Sequence, residues 1–192
     1  MAVLRRKQLI ERYTANQITL LDDEGEKRYS RNQLLENSRN FSYLETYDIF
    51  LSHSYDDARV IREIRDMLTK KGYSVYVDWL EDEHLDRGKV SQRTANVLRT
   101  RMNNCSSLIY ITSESAKSSV WMPWELGYMD AKTGRVSVAP ILDEDVNFEG
   151  QEYLGLYPYL DLTSDNFYIH RNSLEWVNFK GWMEGDNPKS YT

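Results

Sequence analysis

The stretch Tyr47-Asp48-Ile49-Phe50-Leu51-Ser52-His53-Ser54 is a short apolar run that ends in small polar residues. Such a run is typical of a buried strand that opens into a loop at its end. Residues 56–71 follow with apolar side chains at helical spacing, and Gly72 is placed to end that helix. A second apolar run over residues 73–77 predicts another strand.

The alternation of strand and helix continues along the chain. We predict helices over residues 91–103, 119–132 and 173–182, and strands over residues 107–111, 136–142 and 157–162. Strands that alternate with helices form a parallel sheet covered on both faces, with right-handed crossovers. The predicted fold class is α/β, a flavodoxin-like doubly wound parallel sheet of about five strands.

The pattern divides the chain into three segments. Residues 1–44 are predicted to be a short helical N-terminal extension, either an arm that packs on the main domain or a segment for self-association or a partner. Residues 45–183 form one α/β domain, because no repeat or long Pro/Gly linker interrupts them. Residues 184–192 are predicted to be a C-terminal tail.

Composition limits the partners and the compartment. The 192-residue chain has a net charge of −6, whereas sequence-independent binding to nucleic acid needs clustered Lys and Arg. The single cysteine, Cys105, rules out an intramolecular disulfide and favours a reducing compartment. No apolar stretch approaches the ~20 residues that span a bilayer, and no apolar run follows the basic start. We therefore expect a cytoplasmic protein without a nucleic-acid or membrane partner.

Several familiar kinds of site are missing from the sequence. None of the nine glycines forms a Gly-x-Gly, which excludes the dinucleotide fingerprint, and no Gly-x-Ser-x-Gly elbow is present. The histidines His53, His84 and His170 lack metal-ligand spacing. A phospho-receiver is disfavoured because the fourth strand leads to Asp143 rather than to lysine. We expect neither a metal nor a bound cofactor.

The predicted site lies where the strands end. In open α/β sheets the ligand binds beyond the carboxyl ends of the strands. These ends carry residues 52–54, residues 78–79 and residues 112–113. The site should be built from these three groups.

A carboxylate among aromatic residues is the most informative feature of the later sequence. Trp121, Glu125 and Tyr128 are spaced i, i+4 and i+7, so they share one helical face. Burial there should raise the pKa of Glu125, whereas the helix N-terminus should lower it. The residues leave two interpretations open. Glu125 is either catalytic or, if Pro123 begins the helix, a third-position glutamate that satisfies open N–H groups.

Three segments together resemble Toll/interleukin-1 receptor (TIR) domains. Residues 47–54 resemble the first-strand box of the family, and residues 78–89, with Leu85-x-x-Gly88, resemble its second box, the BB loop. Trp121-x-x-x-Glu125, followed by residues 139–142, is similar to the helix-then-strand segment of the enzymatic members. The resemblance covers roughly residues 45–183.

The resemblance implies an enzyme that cleaves the nicotinamide–ribose bond of NAD, as a glycohydrolase or an ADP-ribosyl cyclase. Glu125 takes the position of the catalytic glutamate. One carboxylate is enough, because the leaving nicotinamide is already cationic and departs neutral, whereas most glycosidases need a second carboxyl group as an acid. Loss of one such preorganised group typically costs ~3–4 kcal/mol, or about 10²–10³ in rate.

The supporting residues have alternatives of their own. His53 and Ser54 are placed to meet ribose or phosphate, but Ser54 could instead cap a helix. Trp121 could stack on a ring of the nucleotide or pack in the core, and Trp124 is predicted to pack against the sheet. Some family members carry phosphate-binding arginines where this chain has Ser54-Tyr55. The expected substrate-binding residues are His53, Ser54, Asp78 and Trp121.

The resemblance also implies assembly. A neighbouring protomer's loop completes the site in the resembling enzymes, so we expect a homo-oligomer formed through TIR–TIR contacts, with Trp79, Leu85 and Gly88 in the assembly loop. The single-domain architecture favours a signal-producing member of a bacterial anti-phage system, in which a separate effector reads the nucleotide product. Two alternatives stay open, a non-catalytic TIR scaffold and an enzyme like the nucleoside deoxyribosyltransferases.

Overall fold

The computed structural model describes residues 4–15, 46–77, 90–142, 152–162 and 166–190. The chain starts with a two-residue strand, β1 (Leu4–Arg5), and continues directly into helix α1 (Arg6–Ala15). Most of the predicted N-terminal extension and the whole of the BB-loop segment over residues 78–89 lie outside the described residues.

The central part of the sheet is parallel. Its strands are β2 (Tyr47–Ser52), β3 (Val75–Val77), β4 (Cys105–Thr112), β5 (Val136–Leu142) and β6 (Tyr159–Asp161). They lie in the order β3-β2-β4-β5-β6, and β1 pairs in parallel with the last two residues of β5. This arrangement confirms the predicted α/β class.

Three short antiparallel strands extend the sheet beyond β6. They are β7 (Tyr168–His170), β8 (Glu175–Asn178) and β9 (Lys189–Ser190), which brings the sheet of the described residues to nine strands rather than about five. Residues 189–190 fall in the segment predicted as a C-terminal tail, and Ser190 is in register with Glu175 of β8.

The helices cover both faces of the sheet. The α-helices after α1 are α2 (Ala58–Lys70), α3 (Gln92–Asn103), α4 (Met122–Thr133) and α5 (Phe179–Glu184), and one-turn 3-10 helices span Tyr55–Asp57, Ser115–Ser118 and Glu152–Leu156. Helices α1, α2 and α5 pack on the face that carries Ile49 and Leu51. Helices α3 and α4 pack on the opposite face, which carries Phe50.

Local sequence explains where the helices begin and end. Ser91 caps α3, because its hydroxyl accepts a 3.1 Å hydrogen bond from the amide of Thr94. Helix α4 carries a proline, Pro123, in its first turn, where a missing N–H costs nothing, and it ends at Gly134 in the left-handed conformation (φ 59°). No described helix is long and apolar enough to cross a membrane.

The predicted closing helix over residues 173–182 is wrong in its first half. Residues Glu175–Asn178 form β8, in which Val177 is buried opposite Ile169. The helix starts only at Phe179, because the side chain of Asn178 accepts a 2.8 Å hydrogen bond from the amide of Gly181 and caps it.

Candidate active site

The carboxyl ends of the central strands carry a buried polar pair. The hydroxyl of Ser52, the last residue of β2, donates a 2.6 Å hydrogen bond to Oε2 of Glu125 in α4. Both residues are fully buried. Side chains alternate along a strand, so Ser52 points to the same face as Phe50, which α4 covers.

The position of Glu125 within α4 argues against its interpretation as a third-position residue that satisfies open N–H groups. Trp121 is the cap residue and Met122 the first residue of α4, so Glu125 is the fourth residue rather than the third. The amide of Glu125 makes an ordinary helical hydrogen bond to the carbonyl of Trp121 (2.9 Å), and the amide of Met122 is satisfied by the hydroxyl of Ser119 (3.2 Å). The carboxylate of Glu125 thus reaches across to a strand and is held by Ser52.

His53 and Ser54 continue β2 beyond Ser52. His53 is buried, and its Nδ1 lies 2.7 Å from the carbonyl oxygen of Leu51. Because a carbonyl only accepts, Nδ1 carries the hydrogen, which fixes the ring orientation. Ser54 is half-buried and precedes the 3-10 turn, but its side chain makes no capping hydrogen bond. Its expected contact with substrate stays a prediction.

The aromatic residues Trp121, Trp124 and Tyr128 all contact the core on the α3–α4 side of the sheet. Trp121 is buried in the core on the α3–α4 side of the sheet. Trp124 is partly buried against the same core, and the guanidinium of Arg99 on α3 lies 5.4 Å from its ring centre. The ring of Tyr128 is tilted against that of Trp124 with the ring centres 5.8 Å apart, and its hydroxyl donates to Asn103 of α3.

A second buried carboxylate near the strand ends was not foreseen as part of the site. Asp57 is 2% exposed, its Oδ1 lies 2.7 Å from the guanidinium of Arg6, and its Oδ2 accepts a 2.6 Å hydrogen bond from the hydroxyl of Ser113. The only sequence signal was an acidic pair, Asp56-Asp57, shortly after the strand that is β2 in the structure. Nothing in the spacing pointed to Arg6, which is 51 positions earlier in the chain.

The remaining expected site residues cannot be placed against these groups. Asp78, Trp79, Leu85 and Gly88 lie outside the described residues. Among the residues that are described, no group of three or more His, Cys, Asp or Glu side chains is arranged to hold a metal ion.

Comparison with known proteins gives one family and two relatives. A family model described as "TIR domain" matches residues 49–181. The chain is 44% identical over 168 residues to the "Probable 3' cyclic ADP-D-ribose synthase ThsB'" of Bacillus cereus, an alignment that covers 83% of this chain and 87% of the relative. It is 35% identical over 92 residues to the "Putative cyclic ADP-D-ribose synthase TIR2" of Cytobacillus dafuensis, which covers 47% of this chain and 24% of that relative.

Proposed function

Because this chain belongs to the TIR domain family, we propose that it cleaves the nicotinamide–ribose bond of NAD, with Glu125 as the catalytic carboxylate. The observation that carries the proposal is the place of Glu125 in the fold. It is a fully buried carboxylate, held by Ser52 at the carboxyl edge of the sheet, where α/β proteins bind their ligands. The name of the Bacillus cereus relative supports NAD-derived chemistry.

The reaction requires one negatively charged group from the protein. The bond between C1′ of the ribose and the pyridinium nitrogen breaks, and its electron pair goes to that nitrogen, so nicotinamide leaves neutral without an acid. The ribose is left as an oxocarbenium-like cation. Glu125 stabilises that cation through its charge and through a hydrogen bond to a ribose hydroxyl. The hydroxyl of Ser52 orients the carboxylate through its hydrogen bond to Oε2.

We propose that the product is a cyclic ADP-ribose. The polar side chains at the end of β2, Ser52 and His53, are buried together with Glu125, and a site that excludes water favours capture of the cation by a group of the same nucleotide over hydrolysis. The 3′ isomer named for the relative is the first candidate product. ADP-ribose, the product of hydrolysis, is the expected side product.

We assign the remaining substrate contacts to His53, Ser54, Asp78 and Trp121. His53 and Ser54 follow Ser52 directly at the end of β2, which places them beside the catalytic pair along the chain. Asp78 follows β3, the strand next to β2 in the sheet. Trp121 precedes the helix that carries Glu125 and lies one turn before it.

We also propose that the active form is a homo-oligomer built through TIR–TIR contacts, with Trp79, Leu85 and Gly88 in the contact loop. Its product would act in the cytoplasm as an anti-phage signal read by a separate effector. A shared site makes turnover rise more steeply than linearly with protein concentration. Strictly linear turnover by a verified monomer would contradict the shared site.

The decisive experiment compares three proteins on NAD. Concentrated wild type, Glu125→Gln and Glu114→Gln are incubated with NAD, and the products are identified by chromatography and mass spectrometry. Glu114 is an exposed glutamate that pairs with Lys117, so its substitution controls for the loss of a charge. We expect cyclic ADP-ribose and free nicotinamide from wild type and Glu114→Gln, and none above background from a folded Glu125→Gln.

The full burial of Glu125 favours one competing function. A TIR scaffold that binds other TIR domains needs no substrate access, and a buried Glu125 would then serve only to fix α4 to β2. The scaffold predicts no NAD consumption by wild type at any concentration. It also predicts that Glu125→Gln changes stability and partner binding but no reaction.

A further inference from the structure

The N-terminal strand lies at the carboxyl edge of the sheet. Leu4 and Arg5 of β1 pair with Ile141 and Leu142, the last two residues of β5. Leu4 and Leu9 are buried in the core that α1 shares with α2, so this segment is packed as part of the domain. The family match begins at residue 49, so β1 and α1 lie outside the matched residues and contact the edge where the ligand is expected.

Arg6 links β1 and α1 to Asp57, which lies shortly after the end of β2. Its guanidinium lies 2.7 Å from Oδ1 of Asp57, whose side chain is 1% exposed. A buried carboxylate is stable when it is paired and hydrogen-bonded, so removal of Arg6 would weaken the compensation of the Asp57 charge. Asp57 follows β2 by five residues, and its amide donates a 3.2 Å hydrogen bond to the carbonyl of Ser54. Arg6 therefore acts on the segment that leads out of the strand carrying Ser52.

The same carboxylate reaches the segment that leads to Glu125. Oδ2 of Asp57 accepts from the hydroxyl of Ser113, directly after β4, and that hydroxyl accepts from the amide of Ala116 (3.2 Å). Ala116 belongs to the 3-10 turn, Ser115–Ser118, that precedes α4. A continuous set of contacts thus joins the N-terminal segment to the turn that follows β2 and to the 3-10 turn that precedes α4.

We propose that Arg6 is a positioning residue for the reaction, and that β1 and α1 contribute to the geometry of the site. Through Asp57 and Ser113, Arg6 holds the ends of β2 and β4 so that Ser52 and Glu125 keep their 2.6 Å contact. The proposal rests on the proposed NAD cleavage. A displacement of about 1 Å at a catalytic group can cost on the order of a hundredfold in rate, so the effect is expected in kcat.

The test compares Arg6→Gln and Arg6→Lys with Arg171→Gln. Arg171 pairs with Glu175 between β7 and β8, outside the carboxyl edge of β2 and β4, and so controls for loss of an arginine–carboxylate pair. We expect Arg6→Gln to lower kcat about tenfold to a hundredfold with KM changed less than about threefold. Lysine keeps the charge but not the planar fork, so Arg6→Lys should recover part of the loss.

Amide exchange of Ala116 gives a readout that needs no turnover. We expect faster exchange in Arg6→Gln than in Arg171→Gln, because the contact of Ser113 with Asp57 is disturbed. If Arg6→Gln does not fold, the double variant Arg6→Gln/Asp57→Asn, which removes both charges, is measured in its place. The same loss of kcat is expected. If kcat and Ala116 exchange both match those of Arg171→Gln, Arg6 has no positioning role. A wild type without NAD turnover would refute the proposed function, and Ala116 exchange alone would then decide the role of Arg6.

Discussion

Ser52 and Glu125 are 73 residues apart in sequence, yet the hydroxyl of one donates to the carboxylate of the other over 2.6 Å in a fully buried setting. The contact joins the end of β2 to the first turn of α4 across the sheet surface. A hydrogen bond to a charged group is typically worth ~1.5–3 kcal/mol. The pair therefore fixes where the negative charge of the site lies.

Ser52→Ala removes the donor and leaves the carboxylate in place. We expect turnover of NAD to fall about tenfold to a hundredfold, the rate equivalent of that hydrogen bond. Ser107→Ala is the matched control, since Ser107 is a buried strand serine whose hydroxyl donates to the backbone carbonyl of Asp48. Equal rates for the two variants would show that Ser52 does not act on the catalytic group.

The two ring nitrogens of His53 can be tested separately, Nδ1 for a structural role and Nε2 for a role in binding the substrate. Its Nδ1 donates to the carbonyl of Leu51, and asparagine can place an amide N–H close to that position while the distal nitrogen, Nε2, is lost. If Nε2 contacts the substrate, His53→Asn stays folded and the KM for NAD rises about tenfold, the equivalent of one hydrogen bond. His53→Ala loses both contacts and should be less stable as well. A His53→Asn variant with the wild-type KM would restrict His53 to a structural role.

The parallel core of the fold was readable from sequence because its strands are continuous apolar runs. Residues Val136–Leu142 form the strand predicted for them, and Ser91 begins α3 as a cap. The segment around Trp176 was misread because short apolar runs have no clear period, and pairing with β7 settles its conformation. Edge strands of three or four residues are decided by tertiary contacts more than by local propensity.

The candidate site was readable only in part. The helical spacing singled out Glu125, and the strand ends named Ser52 and Ser113, but no sequence pattern says which strand residue meets which helix residue. The pairing of Arg6 with Asp57 was missed for the same reason, because it joins a short strand to a turn 51 residues away.

Lys132 fastens the end of α4 to the turn before β4. Its Nζ donates to the backbone carbonyls of Met102, Asn103 and Cys105 at 2.8–2.9 Å, and the first two of these oxygens lie at the end of α3, where a cation is favourable. Lys132→Met keeps the aliphatic stem and removes all three bonds, so we expect a loss of about 1–3 kcal/mol of unfolding free energy. Differential scanning calorimetry should show a Tm lower by several degrees, whereas Lys117→Met, which removes an exposed pairing with Glu114, should change Tm little. Equal Tm values would mean that solvent replaces these bonds without cost.

Glu63 should make the protein less stable as the pH rises. It is 4% exposed on α2, and burial raises its pKa above the usual 4.5, with Lys70 and Arg12 only partly opposing the shift. The folded state therefore keeps the Glu63 proton at pH values where the unfolded chain has lost it, so this contribution to stability is complete below pH 4.5 and disappears as pH rises through the folded-state pKa. Glu63→Gln should match wild type in Tm near pH 4 and exceed it at pH 7, by about 2–4 °C for each kcal/mol recovered. Glu184→Gln, an exposed glutamate paired with Lys180, should show no such pH-dependent gain. Parallel Tm–pH curves for wild type and Glu63→Gln would mean that Glu63 titrates alike in the folded and unfolded chain.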